Sequence, residues 1–207
     1  MLRRLAVANI VLHLFALALA ALYMRPGSPR VPPAERMAYL ADHAVGWQIA
    51  WAVWIGCIGL MVAFAAVAAN RLPADNLLAR LAVTVAIVAG AFDLLGDSTF
   101  IIALPYVAAL KPPNEQLFLA VERCTLTLSL VVANGLYSLG TLLLALAARK
   151  RLRRFTFAAG VAVFAFGLLL ALAAFTGVPW HAEAATGPTI GLYCVWVWLA
   201  ARDLEAR

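Results

Sequence analysis

Residues 81–104 read LAVTVAIVAGAFDLLGDSTFIIAL, an apolar run of 24 residues with only two charged side chains, Asp93 and Asp97. A helix of this length rises about 36 Å at 1.5 Å per residue, and the hydrocarbon core of a bilayer is about 30 Å thick. The run therefore predicts a transmembrane helix that carries two carboxyl groups. Asp93 is the thirteenth residue of the run, near the bilayer midplane, and Asp97 lies one helical turn closer to the end at Leu104.

The rest of the chain has the same apolar character. Of its 207 residues, 65% are hydrophobic and 13% are charged, and the mean hydropathy is +0.93. A soluble domain is roughly half apolar and a quarter charged. Apolar runs of about twenty residues predict six spans, at 5–23, 45–69, 77–104, 124–147, 155–176 and 179–201. We therefore predict an all-α fold, a single domain over 1–207 that forms a bundle of six transmembrane helices.

The basic residues predict the orientation of this bundle. Eleven of the 16 Lys and Arg residues fall on the side that holds both chain termini, five of them in RKRLRR at 149–154, and five fall on the other side. Because cytoplasmic loops carry an excess of Lys and Arg, both termini are predicted to be cytoplasmic. The net charge of +6 is thus a topology signal, and no nucleic-acid partner is predicted. The predicted partners are the lipid bilayer and a small ligand or cation, and the sequence leaves open a second copy or a membrane-complex partner.

Two residue types predict features near the membrane surfaces. The tryptophans at 47, 51, 54, 180, 196 and 198 are predicted to form an interfacial belt. Pro33 is predicted to be the first residue of a helix that begins ahead of the second span, because proline is favoured at that position.

The two aspartates of the third span are expected to face protein or a wet cavity, because a charge at the bilayer centre costs at least ~2.5 kcal/mol. Their side of the helix is otherwise lined by the small residues Ala82, Ala86, Ala89, Gly90 and Gly96, which would let another helix approach closely. The fourth span carries a polar stripe at helical spacing, made of Cys124, Thr127, Val131, Asn134, Ser138 and Thr141. Asn134 is the predicted partner of Asp93, and Arg123 is the predicted ion partner of Asp97.

Together these residues predict a polar pocket open to the outer side. The candidates for ligand or ion binding are Asp93, Asp97, Glu122, Arg123 and Asn134, and a separate candidate metal set is His43, His181 and Glu183. A structural alternative stands beside each prediction: a neutral carboxyl group, an ion pair or a polar stripe can simply join helices. His13, in the first span, is predicted to be a hydrogen-bonded core residue.

Three classes of function fit these residues. The first is a protein that binds or translocates a proton, a metal cation or a small cationic solute. The second is a membrane-embedded enzyme that uses Asp, Glu and His for acid–base or metal-assisted chemistry, for which no catalytic residue is assigned. The third is an accessory subunit of a membrane complex.

The cofactor remains unassigned. A metal ion is compatible with the sequence. Haem fits less well, because His13 has no second histidine at its depth. Retinal is not expected, since the only lysines, Lys111 and Lys150, lie in loops.

Residues 135–175, GLYSLGTLLLALAARKRLRRFTFAAGVAVFAFGLLLALAAF, combine a Gly-rich helix, a short basic turn and a second Gly-containing helix. This stretch resembles the closing hairpin of a family of six-helix bacterial membrane proteins of unknown function, although its turn lacks the proline expected there. The resemblance implies a six-helix architecture and a bacterial cytoplasmic (inner) membrane. It implies no activity and assigns no functional residue.

Overall fold

The computed structural model describes residues 1–176 and 179–206, and for 179–183 it describes the backbone alone. The described chain is all-helical, with 86% helix and no strand. Six of its helices are long and apolar enough to cross a membrane: Leu2–Gly27, Ala44–Ala69, Leu77–Ala108, Glu115–Ala147, Arg154–Thr176 and Ala184–Glu205. The predicted six-helix, all-α architecture is therefore confirmed at this level.

Several of the long helices are built from shorter pieces. The helices, in chain order, are α1 (Leu2–Leu19), α2 (Pro33–Asp42), α3 (Ala44–Ala69), α4 (Leu77–Ile101), α5 (Ala103–Ala108), α6 (Glu115–Leu126), α7 (Asn134–Ala147), α8 (Arg154–Thr176) and α9 (Pro179–Glu205). A π-helical turn (Ala20–Met24) and a 3-10 turn (Arg25–Gly27) extend α1, and a seven-residue π-helix (Thr127–Ala133, hereafter the π segment) joins α6 to α7.

The helix starts agree with local sequence signals. Pro33 occupies the first position of α2, as predicted, but the second span is the separate helix α3, which begins at Ala44. Asn76 and Asn114 cap α4 and α6, because their side chains accept hydrogen bonds from Ala79 N and Leu117 N. The Asn114 cap explains why the fourth long helix begins at Glu115 rather than at the predicted 124.

The long helices form a closed ring. Each of α1, α3, α4, α7 and α8 packs against the next long helix of the chain, and α9 packs back against α1. The N-terminal ammonium group lies 3.0 Å from Glu205 Oε1, so both ends of the chain meet at one end of the bundle. We call this the terminus end, and we call the opposite end, which holds the 28–32 and 109–114 connections, the loop end.

The two halves of the ring are packed differently. The core toward the terminus end consists largely of small residues with a few aromatic rings, among them Ala6, Ala68, Ala82, Ala145, Phe64 and Trp196. The core at the loop end is richer in aromatic residues and contains Trp47, Trp51, Phe100 and Phe118, with Met37 and Leu40 of α2 in the same cluster. The short helix α2 therefore covers the aromatic layer at the loop end.

The predicted tryptophan belt is wrong for three of its members. Trp47, Trp51 and Trp196 are 3%, 8% and 2% exposed, so they belong to the protein interior and not to the lipid interface. Trp54 is partly buried, Trp198 is 42% exposed as a belt residue would be, and the Trp180 side chain lies outside the described residues. The sequence could not separate these cases, because an indole near the end of a span can face either lipid or protein.

Candidate functional site

The inner face of α4 carries the two aspartates. Ala82, Ala86, Ala89, Gly90 and Gly96 are all buried on this face together with Asp97, which confirms the predicted small-residue face. Asp97 is 1% exposed, whereas Asp93, one turn earlier, is partly buried. Both side chains line a cavity of about 440 Å³.

Ser129 is the residue that joins the two aspartates. Its hydroxyl group donates a hydrogen bond of 2.6 Å to Asp93 Oδ1, and the same oxygen lies 3.5 Å from Asp97 Oδ1. The second oxygen of Asp97, Oδ2, is buried and has no hydrogen-bond partner among the described residues. The Tyr137 hydroxyl lies next to Asp93 and also lines the cavity.

The predicted Asn134–Asp93 contact is wrong, and the π segment explains why. Hydrogen bonds in a π-helix run from residue i to i+5 and accommodate one extra residue, so the face of the helix rotates relative to a regular α-helix. Thr125, Ser129 and Ala133 are therefore buried, while Cys124 of the predicted stripe is exposed. Asn134 lines the cavity, but its amide group donates to Ser129 O at 3.0 Å.

The predicted ion pair between Asp97 and Arg123 is also wrong. The Arg123 side chain is exposed and donates a hydrogen bond of 2.8 Å to Phe175 O on α8. The preceding residue, Glu122, points the other way, because neighbouring residues of an α-helix are about 100° apart. Glu122 lines the cavity and accepts a hydrogen bond of 2.9 Å from Arg36 of α2.

The Arg36–Glu122 pair is a buried salt bridge that the sequence analysis missed. The two side chains are 3% and 7% exposed, and the guanidinium carbon of Arg36 lies 5.5 Å from the centre of the Phe118 ring. From the sequence, Arg36 reads only as one of the five basic residues opposite the termini. The available signal was its position beside Met37 on the apolar side of α2, where both residues are buried.

His13 reaches the cavity from α1. Its ring is 3% exposed, and Nδ1 lies 2.8 Å from Asn9 O. A carbonyl oxygen only accepts hydrogen bonds, so Nδ1 carries the proton and Nε2 keeps its lone pair in the neutral ring. Asn9 is held in turn by Leu60 O and by the Tyr193 hydroxyl. His13 is thus a hydrogen-bonded core histidine, as predicted, that also lines the cavity.

The candidate metal set is not assembled by the described residues. His43 is exposed, stacks on Tyr39 with 4.6 Å between ring centres, and does not line the cavity. The side chains of His181 and Glu183 lie outside the described residues. No group of three or more His, Cys, Asp or Glu side chains in the described part of the chain could hold a metal ion.

The walls of the cavity are mostly apolar and aromatic. Its aromatic lining residues are Trp47, Trp51, Trp54, Phe100, Tyr137 and Tyr193. Binding pockets for small molecules are typically about 300–1,000 Å³, with apolar walls and a few polar groups that fix orientation. The cavity has these properties, with the carboxyl groups of α4 as the fixed polar element. Comparisons with protein-family models, with curated proteins and with solved structures find no match for this chain.

Proposed function

We propose that this chain is an integral membrane protein that binds a small cation in the cavity beside Asp93 and Asp97, and exchanges it with the aqueous phase at the loop end. The observation that carries the proposal is the state of Asp97, which is 1% exposed and has one carboxyl oxygen without a partner in the described structure. No described cationic side chain forms an ion pair with either aspartate. A cation in the cavity would supply the missing partner.

The Arg36–Glu122 pair supports this reading by contrast. A buried charge is tolerated where an opposite charge and hydrogen bonds compensate for its lost hydration. Glu122, in the same cavity, has such compensation from Arg36 at 2.9 Å. Arg25, the one arginine in the described lining of the cavity, is exposed at the loop end. The carboxyl pair thus remains the part of the lining that a mobile cation can neutralise.

Orientation and membrane form the second part of the proposal. The excess of basic residues around the terminus end favours a cytoplasmic position for both termini, and the loop end would then face outward. With the resemblance of residues 135–175, this orientation favours a bacterial inner membrane. In this arrangement the cavity would receive a cation from the outer side, and binding could serve either sensing or translocation.

Thermal unfolding of the purified full-length protein in detergent tests the proposal. Sodium, potassium, magnesium and tetramethylammonium chlorides would be compared at equal ionic strength for the wild type, Asp97→Asn and the control Asp75→Asn, an exposed aspartate in the 70–76 connection. A cation at about 100 times its Kd stabilises the folded state by about 2.7 kcal/mol. We expect at least one cation to raise the Tm of the wild type and of Asp75→Asn but not that of Asp97→Asn.

One outcome of this experiment would contradict the proposal. If every cation changes the Tm of the wild type and of Asp97→Asn by the same amount, Asp97 binds no cation and the proposal is wrong. The polar residues would then serve to join helices, as expected for an accessory subunit. The enzyme alternative differs in another way, since it requires a substrate to be chemically changed in an Asp97-dependent assay.

A further inference from the structure

We infer that the cation is an organic ammonium ion with an aromatic or apolar body, held between the carboxyl groups of α4 and the tryptophans of α3. This inference rests on the proposed function and names the ligand class of the same cavity. Three observations carry it: the position of the indole rings along the bundle axis, the set of metal-ligating side chains near the cavity, and the volume of the cavity.

The register between α3 and α4 places an indole ring at the depth of each aspartate, and all four side chains line the same cavity. Trp47 Nε1 donates to Phe100 O at 2.8 Å, and Gln48 donates to Ile101 O at 2.9 Å. Ten residues further along α3, Ile58 packs against Gly90 of α4. The two helices run antiparallel, so each step along α3 corresponds to one step back along α4 at about 1.5 Å per residue. Trp51 is therefore level with Asp97, and Trp54 is level with Asp93.

Contacts within the protein hold these rings in place. Trp51 stacks on Phe100 with 3.9 Å between ring centres and an interplanar angle of 11°. Trp54 contacts the ring of His13 edge-on at 6.1 Å. Aromatic faces attract cations, tryptophan most strongly, and the attraction grows when the cation is desolvated. A wall of fixed rings next to carboxyl groups suits a cation that has shed its hydration shell.

The side chains available as metal ligands disfavour a bare metal ion. Divalent magnesium and calcium ions need about six oxygen ligands, and the described His, Cys, Asp and Glu side chains form no cluster of three that could hold an ion. A space of about 440 Å³ would also leave a single ion mostly surrounded by apolar wall.

The test uses benzyltrimethylammonium as the probe, with tetramethylammonium and sodium as smaller cations and neopentylbenzene as the uncharged analogue of the same shape. Binding to the full-length protein in detergent would be measured by thermal-shift titration for the wild type and for Trp54→Leu, Trp54→Phe and Asp97→Asn. Trp198→Leu is the matched control, because Trp198 is exposed on α9. Trp54→Phe retains an aromatic face. It provides a second variant at this position if Trp54→Leu does not fold.

We expect benzyltrimethylammonium to bind more tightly than the three other probes. Trp54→Leu should weaken its binding about tenfold, the change that corresponds to roughly 1.4 kcal/mol. Trp54→Phe should fall in between, and Trp198→Leu should match the wild type. Equal affinity of wild type and Trp54→Leu for benzyltrimethylammonium would overturn the inference.

Two further outcomes separate this inference from the proposed function. If sodium or another inorganic ion stabilises the wild type but not Asp97→Asn, while benzyltrimethylammonium has no effect, the cation site stands and the organic ligand class is wrong. If Asp97→Asn binds every probe as the wild type does, both proposals fail together. Binding of neopentylbenzene as tight as that of benzyltrimethylammonium would also overturn the inference, because the charge would then contribute nothing.

Discussion

Gly96 lies where α4 packs against the π segment, and the absence of a side chain there allows the aspartates to reach Ser129. A Cβ atom placed on Gly96 would lie 3.0 Å from Ser129 Cβ, 3.2 Å from Ser129 N and 3.4 Å from Thr125 O. Two of these neighbours are backbone atoms, which cannot move aside as the end of a flexible side chain can. The close helix contact therefore depends on glycine at this one position.

We predict that Gly96→Ala destabilises the protein by about 1–3 kcal/mol, the usual cost of overpacking. The matched control is Gly59→Ala in α3, where an added Cβ would meet nothing within 4 Å. Because alanine is the better helix former by about 1 kcal/mol, the control should be neutral or stabilising. Thermal unfolding of both variants in the same detergent measures the difference. If Gly96→Ala were as stable as Gly59→Ala, the helix contact would be looser than the structure shows.

The site residues show how much a sequence can predict at this scale. Asp93 and Asp97 could be identified because a charge within an apolar run is costly and must face protein. Their partner Ser129 could not be identified, because it faces inward only as a result of the π segment, which the sequence does not reveal. Asn134 has the depth in the membrane that a partner of Asp93 needs, but depth along a helix does not fix the direction of a side chain.

At the scale of the helical elements, the same π segment decides which face of the fourth long helix is polar. The predicted stripe assumed a constant 3.6 residues per turn from Cys124 to Thr141. Ser138 and Thr141, after the π segment, are buried as that stripe requires, whereas Cys124 before it is exposed. The prediction thus holds beyond the π segment and fails before it, because the apolar sequence TLSLVVA contains no residue that announces a change of helix type.

The short helix α2 is tied to the fourth long helix by the Arg36–Glu122 pair, whose glutamate lines the cavity. We predict that Arg36→Met destabilises the protein by about 3–5 kcal/mol, because it leaves the carboxylate of Glu122 buried and unpaired. The double variant Arg36→Met with Glu122→Leu should recover most of this loss, since it removes both charges together. Arg80→Met, at an exposed arginine near the terminus end, is the control and should behave as the wild type.

Denaturant or thermal unfolding of the four proteins measures these differences. A double variant no more stable than Arg36→Met would contradict the prediction, and would show that the contact of the guanidinium group with the Phe118 ring matters more than charge pairing. The double variant is also a test for function. If it binds cations as the wild type does, the pair only anchors α2 and has no part in the cation site.

At the scale of the whole molecule, the number of long helices could be predicted because membrane thickness sets a minimum length for each apolar run. The ring arrangement could not be predicted, because closure depends on the contact between α9 and α1, at the two ends of the sequence. The cavity follows from that closure. Its lining includes Trp47, Trp51, Trp54 and Phe100, and the sequence alone does not show that these aromatic residues face inward.

The orientation of the ring in the membrane gives the last prediction. Lys111 lies at the loop end, and Arg151 lies at the terminus end, in the turn between α7 and α8. Single cysteines at these positions would be introduced after replacement of Cys57, Cys124 and Cys194 by alanine, and intact cells would be treated with an impermeant thiol reagent. Because the basic excess favours a cytoplasmic terminus end, we expect Lys111→Cys to react in intact cells, and Arg151→Cys only after permeabilisation. Labelling of position 151 in intact cells would reverse the orientation, and the cavity would then exchange its cation with the cytoplasm.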